Sequence, residues 1–267
     1  MEFQRIGFLG CGNMGSALAR AAAKRTNSLL LANRTPAKAE ALAMELGGLA
    51  ADNGQVARDC DLIFLGVKPQ MMAGLLAELT PVFRERTDRF VLVTMAAGLS
   101  MESIRSMAGG DYPVIRIMPN TPASIGEGMI LYCATGVEPE ELEAFCTLMS
   151  GAGALDELPE GLIDAGSALS GCGPAFVYPF IEALADGAVA CGLPRQKAQQ
   201  YAAQTLIGAA KLVLESGEHP GALKDAVCSP GGSTIQGVRA LEQGGFRSAV
   251  MEAVMAAYQK TVDLGKQ

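Results

Sequence analysis

A chain of 267 residues, 49% of them hydrophobic and 18% charged, is long enough for one large or two modest domains. Its formal charge of −7 comes without a basic stripe, which argues against nucleic acid as a partner. Seven cysteines with no CxxC pair, and His219 as the one histidine, argue against a disulfide frame or a metal site and for reduced thiols in the cytoplasm.

Residues 5–9 read as a short buried strand, which leaves no room ahead of it for a signal peptide. The glycine-rich run Gly10-Cys11-Gly12-Asn13-Met14-Gly15 follows, and residues 16–24 read as an alanine-rich helix. The GxGxxG spacing has a mechanical reason: one glycine makes the turn, the next lets backbone approach a pyrophosphate, and the last lets helix pack on strand. In 32 glycines the pattern alone is weak; between a strand and a helix it predicts a dinucleotide site.

The second strand, residues 28–32, ends at Asn33-Arg34-Thr35-Pro36 with no acid to accept from a ribose 2′-hydroxyl. A guanidinium there suits a 2′-phosphate, so NADPH is favoured and NADH is the lesser alternative. Further strands are predicted at 61–67, 89–95, 113–118 and 129–134, alternating with helices at 36–46, 69–79, 101–108 and 138–150. Such alternation predicts an α/β domain with a mostly parallel, helix-covered sheet of the Rossmann type, over residues 1–158. Ligands then bind outside the carboxyl ends of the strands. Three of those ends carry unusual residues: Gly66-Val67-Lys68-Pro69-Gln70, Met95-Ala96-Ala97-Gly98 and Arg116-Ile117-Met118-Pro119-Asn120-Thr121-Pro122.

From 159 to 267 the pattern is all helical, with helices predicted at 161–191, 195–216, 219–228, 231–243 and 246–264. The first is apolar on more than one face and is expected to be interrupted at Pro179 and Gly187. So short a tail hides such a helix poorly, so a two-fold partner is expected. No run of roughly 18 uncharged apolar residues occurs, so no membrane span is predicted. Near the end, Cys228-Ser229-Pro230-Gly231-Gly232-Ser233-Thr234 joins a turn to a helix. That leaves backbone N–H groups facing outward, at the positive end of a dipole, as a pocket for a carboxylate or phosphate.

These segments together resemble the pyrroline-5-carboxylate reductase family: GCGNMG at the start, VKP, AAG, RIMPNTP, SGCGPAF, the stretch from His219 to Asp225, and SPGGSTIQG. The resemblance spans essentially the whole chain, and SPGGSTIQG is its most specific part. It implies an NADPH-dependent enzyme of the last step of proline synthesis. The helical domain would form a homodimer and bind substrate, and dimers would build a decamer. It implies a cofactor site from Gly10, Cys11, Gly12, Asn13, Met14 and Gly15, with Asn33, Arg34, Val67, Lys68, Pro69, Ala97 and Gly98. Asn120 would stand near the nicotinamide and the substrate.

The same resemblance implies that the substrate carboxylate meets the Ser229 hydroxyl and the Gly232 and Ser233 amides, on the turn shaped by Gly231. Thr234 would reach the ring nitrogen as the catalytic contact. Lys68 is an alternative acid, with a cofactor-side or structural role preferred. Cys172 departs from the serine common in the family, and a thiol is a poorer donor. Cys11 and Cys228 are either reactive thiols or small buried hydrophobes, and His219 reads as a helix-start residue. A β-hydroxyacid dehydrogenase of the same layout would need a lysine near Gly171 to Ala175, where there is none. A non-catalytic NADP-binding protein would be expected to lack the intact SPGGST turn.

Overall fold

The computed structural model describes residues 3–264. The chain opens with β1 (Ile6–Leu9), α1 (Asn13–Ala23), β2 (Leu29–Ala32), α2 (Pro36–Leu46), β3 (Leu49–Ala50) and α3 (Asn53–Asp59). It continues through β4 (Leu62–Leu65), α4 (Pro69–Glu85), β5 (Val91–Thr94), α5 (Met101–Ala108) and β6 (Val114–Met118). After a short 3-10 turn come β7 (Gly128–Thr135), α6 (Pro139–Met149) and β8 (Gly153–Glu157). Helices follow: α7 (Glu160–Ser170), α8 (Gly173–Ala190), α9 (Arg195–Ser216), α10 (Pro220–Ala226), α11 (Ser233–Gln243) and α12 (Phe246–Leu264).

Strands β1, β2, β4, β5 and β6 are buried along their whole length, as expected where helices cover both faces of a sheet. Alternate residues serve opposite cores. Ile6, Phe8, Leu62, Phe64, Val91 and Val93 face one side, where Phe8 and Phe64 stack with ring centroids 4.4 Å apart. Leu9, Ile63, Leu65 and Leu92 face the other, against Leu76, Leu79 and Phe83 of α4. The sheet order is β3-β2-β1-β4-β5-β6-β7-β8, parallel except for the antiparallel β6–β7 pair. The order reverses between β1 and β4, so the carboxyl ends of those two strands flank the crevice where such sheets take ligands.

Helix α6 is tied to this sheet electrostatically. Glu141 lies buried in its first turn, completes a capping box with Glu138, and receives Arg89 at 2.6 Å. Burial alone would push its carboxyl up, but the Arg89 guanidinium and the Glu138 amide outweigh that and hold it below the ordinary glutamate range.

Two compact units emerge, one running to Cys172 and resuming at Ala257, the other Gly173–Ala256. The second unit has little interior. Its buried residues are Ala185, Ala198 and Ala202, with Ile181, Val189 and Leu193 packed around them. Large apolar side chains are exposed along α8, α9 and α12, among them Tyr178, Tyr201, Leu212 and Met251.

The predicted helices at 36–46, 101–108, 195–216 and 246–264 coincide with α2, α5, α9 and α12. The break expected at Pro179 and Gly187 falls elsewhere: both lie inside α8, and the chain turns at Gly171–Cys172. There the amides of both residues donate to Ser167 O and close α7. The stretch Glu160–Ala190 is long and apolar enough to cross a membrane by length and composition alone. Asp164 and Glu182 bracket its uncharged part, which is why counting uncharged runs passes it over.

Candidate active site

The glycine turn is built by close backbone contacts. At the end of β1, Gly10 takes φ +110°, and a Cβ there would meet Gly66 O, just beyond β4, at 2.7 Å. Gly15 passes closer still, since its Cβ would lie 2.2 Å from Gly10 O. Gly12 is different: a Cβ there would meet nothing within 4 Å. It caps α1 with no side-chain acceptor, so the first-turn amides of the helix face open space. Steric need explains Gly10 and Gly15, whereas Gly12 leaves the space that a pyrophosphate requires.

Three strand ends are laced together around this turn. Gly10 N donates to Ala32 O and Gly66 N to Leu9 O, both at 2.8 Å. The Asn33 side chain accepts from Cys11 N at 3.1 Å and donates to Thr35 O at 3.0 Å. Asn33 thus braces the glycine turn from β2, and its amide is engaged within the fold. Cys11 is buried, and desolvation pushes its thiol up to about 11. Of the two readings open for it, the structure supports the small buried hydrophobe.

Along this edge lies a cleft of about 770 Å³, lined by Gly10, Gly12, Asn33, Arg34, Thr35, Lys38, Val67 and Lys68 and walled by α4 from Gln70 to Glu78. A second cavity adjoins it and shares Asn33, Arg34, Asn53 and Glu78. Arg34 and Lys38 put two cations at the β2 end, where the sequence holds no acid. Sequence reasoning missed Lys38, Asn53 and Met71, whereas Gly66 and Gln70 fall within the strand end it singled out. Lys38 had a legible signal, since it lies in the first turn of a helix beginning at Pro36, directly after Arg34. Ala97 and Gly98 follow β5 on the same edge, Gly98 at φ +76°, but they do not line the cleft. Neither do Pro69, at the start of α4, nor Asn120. The Asn120 amide is already paired, donating to Ser170 O at 3.0 Å and accepting from Met129 N at 2.9 Å.

In the helical unit, His219 caps α10, its Nδ1 accepting from Gly221 N at 3.0 Å, so the helix-start reading stands. Beyond α10, Ser229 to Gly232 form a turn closed by Gly232 N donating to Ser229 O at 3.0 Å. Pro230 followed by Gly231 at φ +69° is the signature of a type II turn. That bond uses the Gly232 amide inside the turn. The first-turn amides of α11, from Ser233 and Thr234, have no intrahelical acceptor. A Cβ on Gly232 would lie 2.4 Å from Ser229 Oγ, so the hydroxyl stands directly over the start of α11. Ser229, Ser233 and Thr234 are exposed. This is an exposed helix start with unpaired first-turn amides and three hydroxyls around it.

A doubly wound sheet with a glycine turn and cationic cleft defines a dinucleotide-dependent oxidoreductase, here joined to a helical unit. The family model described as "NADP oxidoreductase coenzyme F420-dependent" matches residues 5–98, and that described as "Pyrroline-5-carboxylate reductase dimerisation" matches residues 160–264. Pyrroline-5-carboxylate reductase of Escherichia coli is 41% identical, over 98% of this chain and 99% of that protein. The Methanosarcina acetivorans enzyme of that name is 39% identical over 100% of both. The crystal structure of Plasmodium falciparum pyrroline carboxylate reductase with NADP bound superposes with a TM-score of 0.86 at 33% identity, covering 98% of each chain. The chain belongs to the pyrroline-5-carboxylate reductase family.

Proposed function

We propose that the chain reduces 1-pyrroline-5-carboxylate to L-proline with NADPH, the final step of proline biosynthesis. Similarity over the full length of named reductases carries this reading, and the intact turn from Ser229 to Thr234 agrees with it. NADPH supplies a hydride, which adds to C5 of the cyclic imine while the ring nitrogen gains a proton. The chain's own residues bind and orient. The open space at Gly12 and the free amides of α1 fit the pyrophosphate, and Arg34 with Lys38 fits a 2′-phosphate. Asn13, Met14 and Gly15 supply the helix start, and Val67, Lys68, Pro69, Ala97 and Gly98 supply neighbouring strand ends along the dinucleotide.

The substrate carboxylate is received by the Ser229 hydroxyl and the Ser233 amide, with Gly231 and Gly232 shaping the turn. Thr234 hydrogen-bonds the ring nitrogen and orients the C=N bond. Orientation is the main contribution asked of these groups, since well-aligned reactants gain about 7–11 kcal/mol over free encounter. A substrate that arrives as its iminium needs no strong acid from the protein.

The chain forms a dimer. We place its interface on the C-terminal helices, in keeping with the exposed apolar faces of α8, α9 and α12, and we propose that dimers build a decamer in the cytoplasm. Residues 1–158 then serve as the NADP domain and 159–267 as the dimerisation and substrate domain. The test is NADPH oxidation with about 1 mM pyrroline-5-carboxylate, a substrate level at the upper end of ordinary KM values. No turnover on the imine, with turnover on 3-hydroxyisobutyrate plus NADP, would replace this reading by a β-hydroxyacid dehydrogenase.

A further inference from the structure

Strand β6 and the residue two places beyond it hold α7 at both ends. Near the helix start, the buried Arg116 reaches Asp164 at 2.6 Å and Glu160 at 3.4 Å, and Glu160 also accepts from Met101 N at 2.7 Å. At the helix end, Asn120 donates to the Ser170 carbonyl, one of the four that a helix leaves without an internal partner. The spacing is consistent. From Arg116 to Asn120 extended chain covers about 13 Å, and from Glu160 to Ser170 a helix rises about 15 Å. Helix α7 packs on β7, runs in the same direction as the neighbouring β6, and ends near the carboxyl end of β6. Three residues later, at Gly173, the chain passes into the helical unit.

Asn120 has one geometry that satisfies both partners. Its carbonyl must face Met129 N and its NH2 must face Ser170 O, because the reverse would set donor against donor and acceptor against acceptor. At 9% exposure the side chain has little access to anything else. We propose that Asn120 is a positioning residue for imine reduction, pinning the end of α7 from which the chain departs to the unit carrying Ser229 to Thr234, without touching cofactor or imine. A misplacement of about 1 Å can cost about 100-fold in rate, so a pin that touches neither cofactor nor imine still acts on turnover.

The inference rests on the proposed imine substrate, and its test separates the two. Asn120→Asp keeps the acceptor for Met129 N. As a carboxylate it sets an oxygen against Ser170 O; as a carboxylic acid it donates there again. The charged groups of the packed elements, Arg116 with Glu160 and Asp164, are engaged with one another at the other end of α7. At about pH 8 we expect kcat at least about tenfold below wild type, with NADPH affinity by fluorescence titration within about twofold. The ratio of variant to wild type should rise as pH falls and the new carboxyl protonates. Hydrogen exchange over residues 166–176, relative to wild type at each pH, should be faster at high pH and approach it at low pH. Asn120→Gln keeps a neutral but longer amide and should lower kcat equally at every pH. A flat ratio and unchanged exchange in Asn120→Asp, or NADPH affinity falling in step with kcat, would overturn the pin. A wild-type enzyme inert toward the imine, with exchange still responding, would overturn the substrate and leave the pin standing.

Discussion

The α-carbon of Gly15 faces the carbonyl of Gly10 so closely that a Cβ on it would lie 2.2 Å from that oxygen, while Gly12, between them, looks into open space. The two glycines should therefore fail differently. Gly15→Ala forces backbone apart in a packed turn and should cost about 1–3 kcal/mol of stability along with NADPH binding. Gly12→Ala should leave the melting temperature within about 2 °C of wild type, because less than about half a kcal/mol is at stake, yet weaken NADPH by about tenfold or more. Thermal unfolding beside fluorescence titration reads both.

Thr234 is exposed in the first turn of α11. Thr234→Ala should lower kcat/KM by about 3- to 10-fold, the worth of one net hydrogen bond, with unfolding unchanged. Thr234→Ser should recover most of the loss. Wild-type kinetics in the alanine variant would remove Thr234 from the mechanism.

Arg34 and Lys38 are the two cations at the β2 end of the cleft. Arg34→Asp should weaken NADPH by about 10- to 100-fold, as expected for a lost charge-assisted contact, and improve NADH, since the carboxylate can accept from a ribose 2′-hydroxyl. Lys38→Ala should do less to NADPH and nothing for NADH. Steady-state kinetics with each nucleotide decides; an unaltered ratio in Arg34→Asp would place 2′-phosphate recognition elsewhere.

Glu141 offers a test by pH. Its carboxyl is held below the ordinary value of 4.5 in the fold, so its contribution is present above that value and lost as pH falls through the folded one. Glu141→Gln should lower stability by about 1–3 kcal/mol near pH 7. The gap to wild type should narrow at acid pH, below the ordinary value of 4.5, as the carboxyl protonates in the fold. Urea midpoints at the two pH values give the difference directly; a gap that stays constant would mean that packing, not charge, is what the substitution disturbs.

The helical unit, with Ala185, Ala198 and Ala202 for an interior, should owe its stability to a partner. Its melting temperature should climb by several degrees over a hundredfold rise in protein concentration, as mass action requires of a folded dimer. Light scattering on the same samples should show a dimer or a multiple of it. A monomer with a concentration-independent transition would remove the C-terminal helices as the interface.

Much of this architecture is legible in the residues. The strands at Ile6–Leu9 and Leu62–Leu65 are short apolar runs, each opened by a charged residue (Arg5, Asp61) and closed by a glycine, and Val91–Thr94 belongs to an apolar run that starts after Arg89. Strand β3 is two exposed residues at the sheet edge, and β8 reads Gly-Ala-Leu-Asp-Glu with mostly exposed side chains, so neither offers a hydrophobic period. Helix α3 buries only Val56 and Ala57, and its clearest mark is the Asp52 cap that accepts from Gln55 N. Pro179 misleads because a proline normally breaks a helix, whereas α8 carries it through.

At the site, the residue types of the glycine turn and the Ser229–Thr234 turn are readable because their backbone demands glycine. What the sequence could not reveal is which polar groups the fold uses internally: the amides of Asn33, Asn120 and Gly232 are all engaged by partners distant in sequence or closed within a turn.

The lacing of β1, β2 and β4 around Gly10 bears on how the dinucleotide arrives. With the Cys11 amide tied to Asn33 and the Gly10 and Gly66 amides tied to neighbouring strands, the cradle exists before any ligand enters it. Little chain entropy then remains to be lost on association. Dinucleotide capture should follow a single bimolecular phase, its rate linear in NADPH concentration, with no slow rearrangement behind it.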